Sequence, residues 1–279
     1  MARRFPALEF RTTRRDCMLY ALGIGVSADP LDGSDLQFTY EQGLRVFPSM
    51  VNVICHPGGW VKDPELGVDW VKLLHGEQSF RILKPLEPER TYTGAYRVTD
   101  VIDKGAGKNA LLLAENRLSD KETGELVSVV TSSYVLRGDG GCGGTRAEAP
   151  TPHALPERPP DNKCVLTSIP QAALIYRLSG DYNPIHADPA MARKAGFDRP
   201  ILHGQCTLGM ATRAILRSCC EQQPRRLRSV QARFSSPVYP GETLTTEIWR
   251  DGPIISFRSL IAERAVVVLN NGRAELAPS

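Results

Sequence analysis

The sequence predicts an α+β fold in which two similar halves each combine a helix with an antiparallel sheet. The first observation behind this prediction is an internal repeat. The motif Pro-x-x-Pro-x-x-Thr-x-Thr occurs at 85–93 and again at 237–245, and Tyr-Ala-Leu-Gly at 20–23 is matched by Tyr-Arg-Leu-Ser at 176–179. The offsets of 152 and 156 residues are close to half of the 279-residue chain, and the motifs keep their order. They therefore indicate a duplication.

The second observation is a change in hydrophobic periodicity. After each Pro-x-x-Pro motif, apolar and β-branched residues alternate with polar ones, as is typical of strands in antiparallel hairpins. In the second half, Gln205–Glu221 places small and apolar residues on one side of a helix. We therefore predict a helix with a sheet curled around it in each half. The predicted strands are Tyr92–Val101, Ala110–Arg117, Leu126–Leu136, Thr243–Arg250, Ile254–Ala262 and Ala265–Leu269, with turns at 121–124, 251–252 and 270–272.

The strongest change in composition lies between the halves. Residues 137–162 are rich in Gly and Pro, which cannot sustain a helix or a central strand at this density. The sequence therefore predicts an N-terminal half at 1–136, a linker at 137–162 and a C-terminal half at 163–279. The pattern favours a plain linker over a loop that packs near a ligand.

Composition excludes several functional classes. The chain has 34 Lys and Arg against 31 Asp and Glu, a net charge of +3, with 42% hydrophobic and 23% charged residues. It is too apolar and too nearly neutral for a disordered protein, and its charge does not indicate a nucleic-acid partner. No apolar run approaches the roughly 18 residues of a membrane span, so we expect no membrane partner either.

Seven cysteines are present, an odd number without a Cys-x-x-Cys pair. We therefore expect reduced thiols in a cytosol-like compartment and neither a zinc ribbon nor a disulfide scaffold. No secretory signal is evident near the N-terminus, and the chain ends in Ala-Pro-Ser and not in a peroxisomal Ser-Lys-Leu tail. We expect a cytoplasmic protein if the source is bacterial. In a eukaryote, a peroxisomal location by another route is compatible with the sequence.

The most informative stretch for chemistry is 176–209. Its Gly-Asp-Tyr-Asn-Pro segment at 180–184 is typical of a loop, and Asp188 with Pro189 predicts the start of a short helix that ends near Gly196. Asp181, Asn183 and His186 thus share one loop of six residues. An acid, an amide and an imidazole so placed can converge on one water or small molecule. Spacing alone still favours a plain loop with local side-chain-to-backbone hydrogen bonds.

A second candidate element lies at the start of the predicted helix. Gly204 precedes that helix, so its amide could point at an oxyanion with the helix dipole behind it. Taken alone, the position is more simply explained by a glycine that lets the chain enter the helix. His203 is expected to be structural, with its ring bonded to the backbone.

Together these segments resemble a known family. Tyr-Arg-Leu-Ser-Gly-Asp-Tyr-Asn-Pro-Ile-His at 176–186, followed by Gly-Phe at 196–197 and Pro-Ile-Leu-His-Gly-x-Cys-Thr at 200–207, resembles the signature of MaoC-like, (R)-specific 2-enoyl-CoA hydratases (hydratase type 2). The hydratase part of peroxisomal multifunctional β-oxidation enzymes is the nearest resemblance. It covers about residues 10–275 and includes segments 73–78, 103–107, 140–144 and 232–241. Ile185 stands where the family usually has Leu, which is a conservative difference.

The resemblance implies a double hot-dog fold, with two curved antiparallel sheets, each around a central helix, and a linker that crosses between them. It implies hydration of trans-2-enoyl-CoA to (3R)-hydroxyacyl-CoA without a metal or a redox cofactor, CoA being part of the substrate. A homodimer is expected from the family alone. The first half lacks the Asp-x-Asn-Pro-x-His motif and is expected to accommodate the acyl chain. Its apolar run Val46–Ile54 could line that pocket or could equally be ordinary core.

The family's residues transfer to this chain position by position. Asp181 and His186 become the catalytic pair that activates water, Asn183 orients water and substrate, and the Gly204 amide holds the thioester oxygen. The implied substrate contacts are His75, Gly76, Lys104, Tyr182, Pro184, Ile185 and Phe234. Three alternatives remain open: a (3R)-hydroxyacyl-carrier-protein dehydratase of fatty-acid or polyketide synthesis, a non-catalytic acyl-CoA-binding protein, and a thioesterase on the same fold.

Overall fold

The computed structural model describes residues 5–278 and contains, within that range, ten strands, four α-helices and several single 3₁₀ turns. None of these helices is long and apolar enough to cross a membrane. The α-helices are α1 (Arg14–Gly23), α2 (Ala172–Tyr176), α3 (Pro189–Lys194) and α4 (Gly204–Cys219). The strands are β1 (Leu8–Thr12), β2 (Leu74–Ile82), β3 (Arg90–Asp103), β4 (Ala110–Asp120), β5 (Leu126–Leu136), β6 (Asn162–Thr167), β7 (Leu227–Phe234), β8 (Thr243–Asp251), β9 (Ile254–Ile261) and β10 (Val266–Leu276).

All ten strands form one antiparallel sheet in the order β1-β3-β4-β5-β2-β7-β10-β9-β8-β6. The last five strands repeat the arrangement of the first five in reverse order, so that β6 to β10 correspond to β1 to β5. The chain therefore consists of two copies of one arrangement. The copies join where residues 77–81 of β2 pair with 229–233 of β7. The two Pro-x-x-Pro motifs lead into β3 and β8, which occupy equivalent positions, and this confirms the duplication predicted from the sequence.

The other repeated motif marks where the two halves pack on each other. Tyr20 at the end of α1 and Tyr176 at the end of α2 have ring centroids 5.7 Å apart. Gly23 allows this approach, because a Cβ there would lie 3.2 Å from the Cα of Tyr176. Tyr20 also donates a hydrogen bond to Ser49 Oγ at 2.8 Å. Each copy of the motif thus contributes one tyrosine to the contact between the halves.

Helix α4 forms the centre of the core. Most of its residues are buried, and Gly209 lets Ile24 approach so closely that a Cβ would be 2.6 Å from Ile24 Cγ2. The main hydrophobic cluster contains residues of both halves around this helix. The predicted helix at 205–221 is therefore confirmed, with bounds shifted by one or two residues.

The first half differs from the expectation in one respect. Between α1 and β2 the described chain has no long helix, only the 3₁₀ turns Gly33–Phe38, Pro48–Asn52, Trp60–Lys62 and Pro64–Leu66. Prolines and glycines interrupt this stretch and prevent a continuous helix. The prediction of a central helix in each half thus holds only for the second half, whose α4 serves the whole sheet.

A second correction concerns residues 270–272. Asn-Asn-Gly was predicted to be a turn, but these residues lie inside β10, where the register with β7 and β9 shifts. Asn271 has φ +52, and a Cβ on Gly272 would lie 2.5 Å from the carbonyl oxygen of Phe257. The residues form a bulge that brings β10 close to β9.

Residues 137–161 connect the halves without helix or regular strand. The segment is nevertheless fixed along the sheet. The Asp103 carboxylate accepts hydrogen bonds from the amides of Gly141 and Gly143 at 2.8 and 3.0 Å, and the His153 ring bonds Ser256 Oγ at 2.8 Å. Trp249 donates its indole N–H to the carbonyl of Arg158 at 2.7 Å. The functional division at 136 and 163 remains a prediction.

Candidate active site

The predicted catalytic loop connects α2 with α3 and is shaped by local signals. Gly180 adopts φ +121 after the 3₁₀ turn that follows α2. The Asp181 carboxylate accepts a hydrogen bond from Asn183 N at 3.1 Å, and Asn183 caps the 3₁₀ turn Pro184–His186. Asp188 caps α3 as predicted, by accepting from Ala190 N and Met191 N. The loop is therefore held at both ends by the turn chemistry that the sequence indicates.

His186 is buried, with 7% of its surface exposed, and it is bonded to the irregular segment before α4. Its Nδ1 lies 2.8 Å from the carbonyl oxygen of Ile201, and Ile201 N donates to the carbonyl of Ile185. A carbonyl oxygen can only accept, so Nδ1 carries the proton and Nε2 of the neutral ring keeps its lone pair. Burial lowers the pKa of His186 below its ordinary value, although the charge of Asp181 opposes this shift. The ring is therefore a neutral base at pH 7.

His203 supports this arrangement, as expected for a structural residue. Its ring stacks on that of His186 with centroids 3.6 Å apart and an interplanar angle of 25°. Its Nε2 lies 3.1 Å from the main-chain carbonyl of Asp181 and donates to it. Burial, with the neighbouring His186 as a second cause, holds the pKa of His203 far below its ordinary value. One side chain thus fixes the positions of both predicted catalytic residues.

The carboxylate of Asp181 faces these two imidazoles. One oxygen of Asp181 and one nitrogen each of His186 and His203 lie within 4.8 Å of one another, a spacing that could also hold a metal ion. Each ring retains one nitrogen that is not bonded to a carbonyl. The absence of a metal from the working site therefore remains a prediction from the family resemblance. The site can hold and deprotonate a water molecule with these groups alone.

Gly204 is the first residue of α4 and follows His203 directly. Its amide has no hydrogen-bond acceptor among residues 5–278, as is usual at the first turn of a helix. A Cβ on Gly204 would lie 3.1 Å from the Phe234 ring, so glycine allows Phe234 to cover the helix start. This unpaired amide, at the positive end of a 16-residue helix, is suited to bind a developing negative charge.

The first half contributes His75 from β2. Its ring stacks on Tyr134 at 4.9 Å and meets Phe234 edge-on at 4.8 Å, so it lies beside the residue that covers Gly204. Its Nε2 bonds Gln78 Oε1 at 2.9 Å. Burial lowers the pKa of His75 to about 4. Through Phe234, the rings of His75 and Tyr134 lie next to the start of α4.

The structure places the other predicted substrate-binding residues at different distances from the catalytic loop. Pro184 and Ile185 lie in the catalytic loop, and Tyr182 is 58% exposed next to Asp181. Gly76 lies at an irregularity in the β2–β5 pairing, where a Cβ would be 3.1 Å from Ser133 Oγ. Lys104 is not brought to the catalytic group.

Lys104 directly follows β3, which lies three strands from β2 and its His75, or about 14 Å measured across the strands. Its side chain is exposed. Its contact with the substrate remains a prediction.

One residue of this region was missed by the sequence analysis. The ring of His56 meets that of Tyr96 edge-on, with centroids 5.3 Å apart. Burial lowers the pKa of His56 below its ordinary value, and the charge of Asp181 opposes part of this shift. The available signal was weak: a histidine before Pro-Gly-Gly, in a half without the catalytic motif. Only the fold brings it to the loop from the other half.

An apolar groove with a volume of about 220 Å³ opens beside the catalytic loop. Gly180 and Tyr182, which flank Asp181, form part of its wall together with Leu178. From the first half it is lined by Phe10, Asp16, Leu19, Met50 and Val53. Met50 and Val53 belong to the apolar run predicted as a pocket lining, whereas Phe47 and Ile54 of the same run are buried in the core. The run thus contributes to both.

Comparison with known proteins agrees with this architecture. Residues 10–138 match the family model described as the MFE-2 hydratase 2 N-terminal domain, and residues 152–271 match the MaoC-like domain. The 3-hydroxyacyl-thioester dehydratase Y of Mycobacterium tuberculosis is 41% identical over 95% of this chain and 93% of that protein. The peroxisomal enoyl-CoA hydratase 2 of Arabidopsis thaliana is 35% identical over 96% of this chain and 92% of that protein.

Solved structures agree as well. The crystal structure of a MaoC-like dehydratase from Phytophthora capsici is 34% identical, with a TM-score of 0.87, and the match covers 99% of this chain and 96% of that one. A Mycobacterium tuberculosis protein described as a double hotdog fold has a TM-score of 0.58 at 16% identity, with 99% of this chain and 95% of that one covered. The predicted double hot-dog fold is confirmed.

The fold and the two matched domains therefore define a MaoC-like hot-dog enzyme. The chain belongs to the hydratase 2 family, which joins an N-terminal hydratase 2 domain to a MaoC-like domain.

Proposed function

We propose that this protein catalyses the reversible hydration of trans-2-enoyl-CoA to (3R)-hydroxyacyl-CoA in fatty-acid metabolism. The observation that carries the proposal is the fixed tautomer of His186, which leaves Nε2 as the basic nitrogen of a ring that has one nitrogen within 4.8 Å of an Asp181 carboxylate oxygen. The enzyme class follows the names of relatives such as the Arabidopsis enoyl-CoA hydratase 2. The roles of individual residues are part of the same proposal and rest on the geometry of the loop at 180–186 and the start of α4.

In the proposed reaction, one water molecule supplies both the hydroxyl group and the hydrogen that add to the double bond. Asp181 and His186 hold the water, and its oxygen forms a bond to C3 as the C2–C3 double bond opens and a proton passes to His186 Nε2. A proton returns from the catalytic pair to C2 and restores the neutral imidazole. Neutral water is a poor nucleophile at pH 7, so the reaction needs a base of this kind. Because the held water adds to C3 from one face of the double bond, a single enantiomer forms.

The Gly204 amide is proposed to bind the thioester oxygen. As water adds to C3, electron density moves onto that oxygen and gives it enolate character. A single backbone donor at such a position typically contributes roughly 3–4 kcal/mol to transition-state binding. Asn183 would complete the site by orienting water and substrate.

The groove beside Tyr182 is proposed to hold the acyl chain. A cavity of about 150 Å³ holds the six carbons of benzene, so the groove has room for about nine carbons. Leu19→Trp would fill part of it, and the exclusion of about two methylenes would cost about 1.6 kcal/mol, or about 15-fold. We expect kcat/KM for trans-2-decenoyl-CoA to fall by this factor relative to crotonyl-CoA.

The matched control is Leu22→Trp. Leu22 lies in the same helix, is 44% exposed and does not line the groove. Equal loss with both chain lengths in Leu19→Trp, or the same selective loss in Leu22→Trp, would assign the acyl chain to another place.

The direct test of catalysis measures hydration of enoyl-CoA substrates by Asp181→Asn and His186→Ala. We expect both variants to lose at least about 100-fold in kcat, because each removes a group needed for proton transfer. Asp198→Asn, at an exposed position outside the 180–186 loop, and His153→Ala, in the segment that connects the halves, change the same residue types and should retain activity. Unchanged product formation in the first pair would contradict the residue assignment. Failure of the wild type with every enoyl-CoA would contradict the function.

A second candidate is the reverse reaction on a carrier protein. The Mycobacterium tuberculosis relative that is 41% identical to this chain is named a 3-hydroxyacyl-thioester dehydratase. This name does not say whether the thioester is formed with CoA or with a carrier protein. Comparing crotonyl-CoA, a long-chain enoyl-CoA and an enoyl-carrier protein distinguishes the two. A kcat/KM at least tenfold higher for the carrier-protein substrate would favour the dehydratase.

A homodimer is also proposed, on the family resemblance. With a chain mass of 30.7 kDa, light scattering should give about 61 kDa, twice that value. A mass near 31 kDa at micromolar concentration would contradict this expectation. The compartment remains a prediction that depends on the source.

A further inference from the structure

His56 has the properties of a substrate-binding residue. Its Nδ1 accepts a hydrogen bond from the main-chain N–H of Gly58 at 3.1 Å. A nitrogen that accepts a hydrogen bond carries no proton, so in the neutral ring the proton must be on Nε2. Nε2 has no hydrogen-bond partner within residues 5–278, and the side chain is only partly buried. His56 therefore presents a free N–H donor of fixed identity.

The local backbone holds this donor in place. Pro57 and Gly58 follow directly, and Gly58 adopts φ +69, which turns its N–H back toward the ring. The ring edge rests against Tyr96, whose ring also contacts Trp60 at 6.0 Å. The imidazole is thus fixed by a hydrogen bond at one nitrogen and by an aromatic contact.

The position of His56 relative to the catalytic loop is given by two neighbours. Val53, three residues before His56, lies beside the catalytic loop, because a Cβ on Gly180 would be 3.9 Å from the carbonyl oxygen of Val53. The Tyr96 ring that meets His56 belongs to one hydrophobic cluster with Tyr134, which stacks on His75. His75 in turn contacts Phe234, the ring that packs against Gly204. These contacts place His56 on the first-half side of the cleft, in the series of ring contacts that ends at Gly204.

The substrate limits what such a donor can bind. The thioester oxygen is already assigned to the Gly204 amide. In any pantetheine thioester, the next hydrogen-bond acceptor is the amide carbonyl two methylenes and one nitrogen beyond the sulfur. An uncharged N–H donor suits that uncharged acceptor, whereas the phosphates of CoA lie much farther along the arm.

We propose that His56 is a substrate-positioning residue whose Nε2–H donates a hydrogen bond to the first amide carbonyl of the pantetheine arm. This inference rests on the proposed function and deepens it, because it specifies which part of the thioester the first half recognises. Pantetheine is common to CoA and to acyl-carrier proteins, so the same contact would serve either substrate.

The test compares two short crotonyl thioesters that differ by this amide. Crotonyl-N-acetylcysteamine contains it, and S-ethyl thiocrotonate does not. In wild type, kcat/KM should be higher for the amide-containing thioester. His56→Phe should reduce the ratio of the two kcat/KM values by about 3- to 10-fold, as expected for one neutral hydrogen bond. His56→Gln, which keeps an N–H donor, should restore at least part of the ratio.

His153→Phe is the matched control, because His153 lies in the connecting segment, where its ring bonds Ser256 of β9. The ratio of the two kcat/KM values in His153→Phe should equal that of wild type. If His56→Phe does not fold, His56→Leu replaces it. A ratio in folded His56→Phe within 1.5-fold of wild type would overturn the proposal, as would equal losses with both thioesters. Repeating the comparison with crotonyl-CoA and a crotonyl-carrier protein shows which source of pantetheine the enzyme uses. If wild type hydrates none of these thioesters, the proposed function itself fails, which is a distinguishable result.

Discussion

Asp35 offers a sharp test of how the two halves are held together. It is 1% exposed and pairs at 2.9 Å with Arg213 of α4, which is 4% exposed. Asp35 also accepts from Ser27 N at 3.0 Å and from Gln222 Nε2 at 2.9 Å, and Arg213 donates in addition to the carbonyl of Gly25. The network therefore joins the loop after α1 to the central helix of the second half.

Asp35→Ala removes the carboxylate and leaves a buried guanidinium without its counterion. Breaking a buried pair in this way typically costs about 3–5 kcal/mol. At about 2.1 cal/mol/K per residue, 279 residues give an unfolding entropy of about 0.6 kcal/mol/K. The expected fall in melting temperature is therefore about 5–9 °C.

Differential scanning calorimetry measures this fall and shows whether the chain unfolds in one transition. Asp69→Ala is the matched control, because its partner Lys72 is 61% exposed and such pairs contribute less than about 1 kcal/mol, or less than about 2 °C here. Asp35→Ala combined with Arg213→Met should be less destabilising than Asp35→Ala alone. A melting temperature of Asp35→Ala within 2 °C of wild type would refute the reasoning.

Two further predictions concern the site and the sheet. NMR titration should give His186 a pKa below the ordinary 6.5, because burial favours the neutral ring, and a lower value still in Asp181→Asn, which lacks the charge that raises it. kcat/KM should accordingly fall only as the pH drops through that lowered value, and a pKa at or above 6.5 would contradict the assigned environment. Gly94→Ala should destabilise the protein by about 1–3 kcal/mol, because the new Cβ would lie 2.4 Å from Cys55 Cβ. Gly33 has open space around it, so Gly33→Ala is the control and should not destabilise the protein. Equal melting temperatures of the two variants would disprove the close contact at Gly94.

The parts of the site that the sequence predicted depend on local signals. The loop at 180–186 follows from its Gly, Asn and Pro residues, and α3 follows from Asp188 and Pro189, whose capping roles need no tertiary information. The start of α4 at Gly204 was also visible, from the periodicity after it. These features are determined within a few residues of one another.

The features that the sequence did not predict depend on distant contacts. Asn-Asn-Gly at 270–272 is a strong turn signal, but pairing of β10 with β7 and β9 on both sides keeps it within a strand. His56 reaches the cleft only because β2 and β7 join the two halves edge to edge. No local pattern separates it from a surface histidine.

The absence of a long helix between α1 and β2 has a similar origin. Helix α4 fills the centre of a core that both halves share, so the first half packs its short 3₁₀ turns against the same helix. A duplication visible in the sequence therefore did not require two copies of every element.

The most direct measurement for the central claim is chiral analysis of the product from trans-2-decenoyl-CoA. Wild-type protein should give the (3R)-hydroxy product alone, and His186→Ala should give at least about 100-fold less of it per unit time. A (3S) or racemic product, or equal product formation by the two proteins, would contradict the assignment of Asp181 and His186 as the pair that adds water to one face of the double bond.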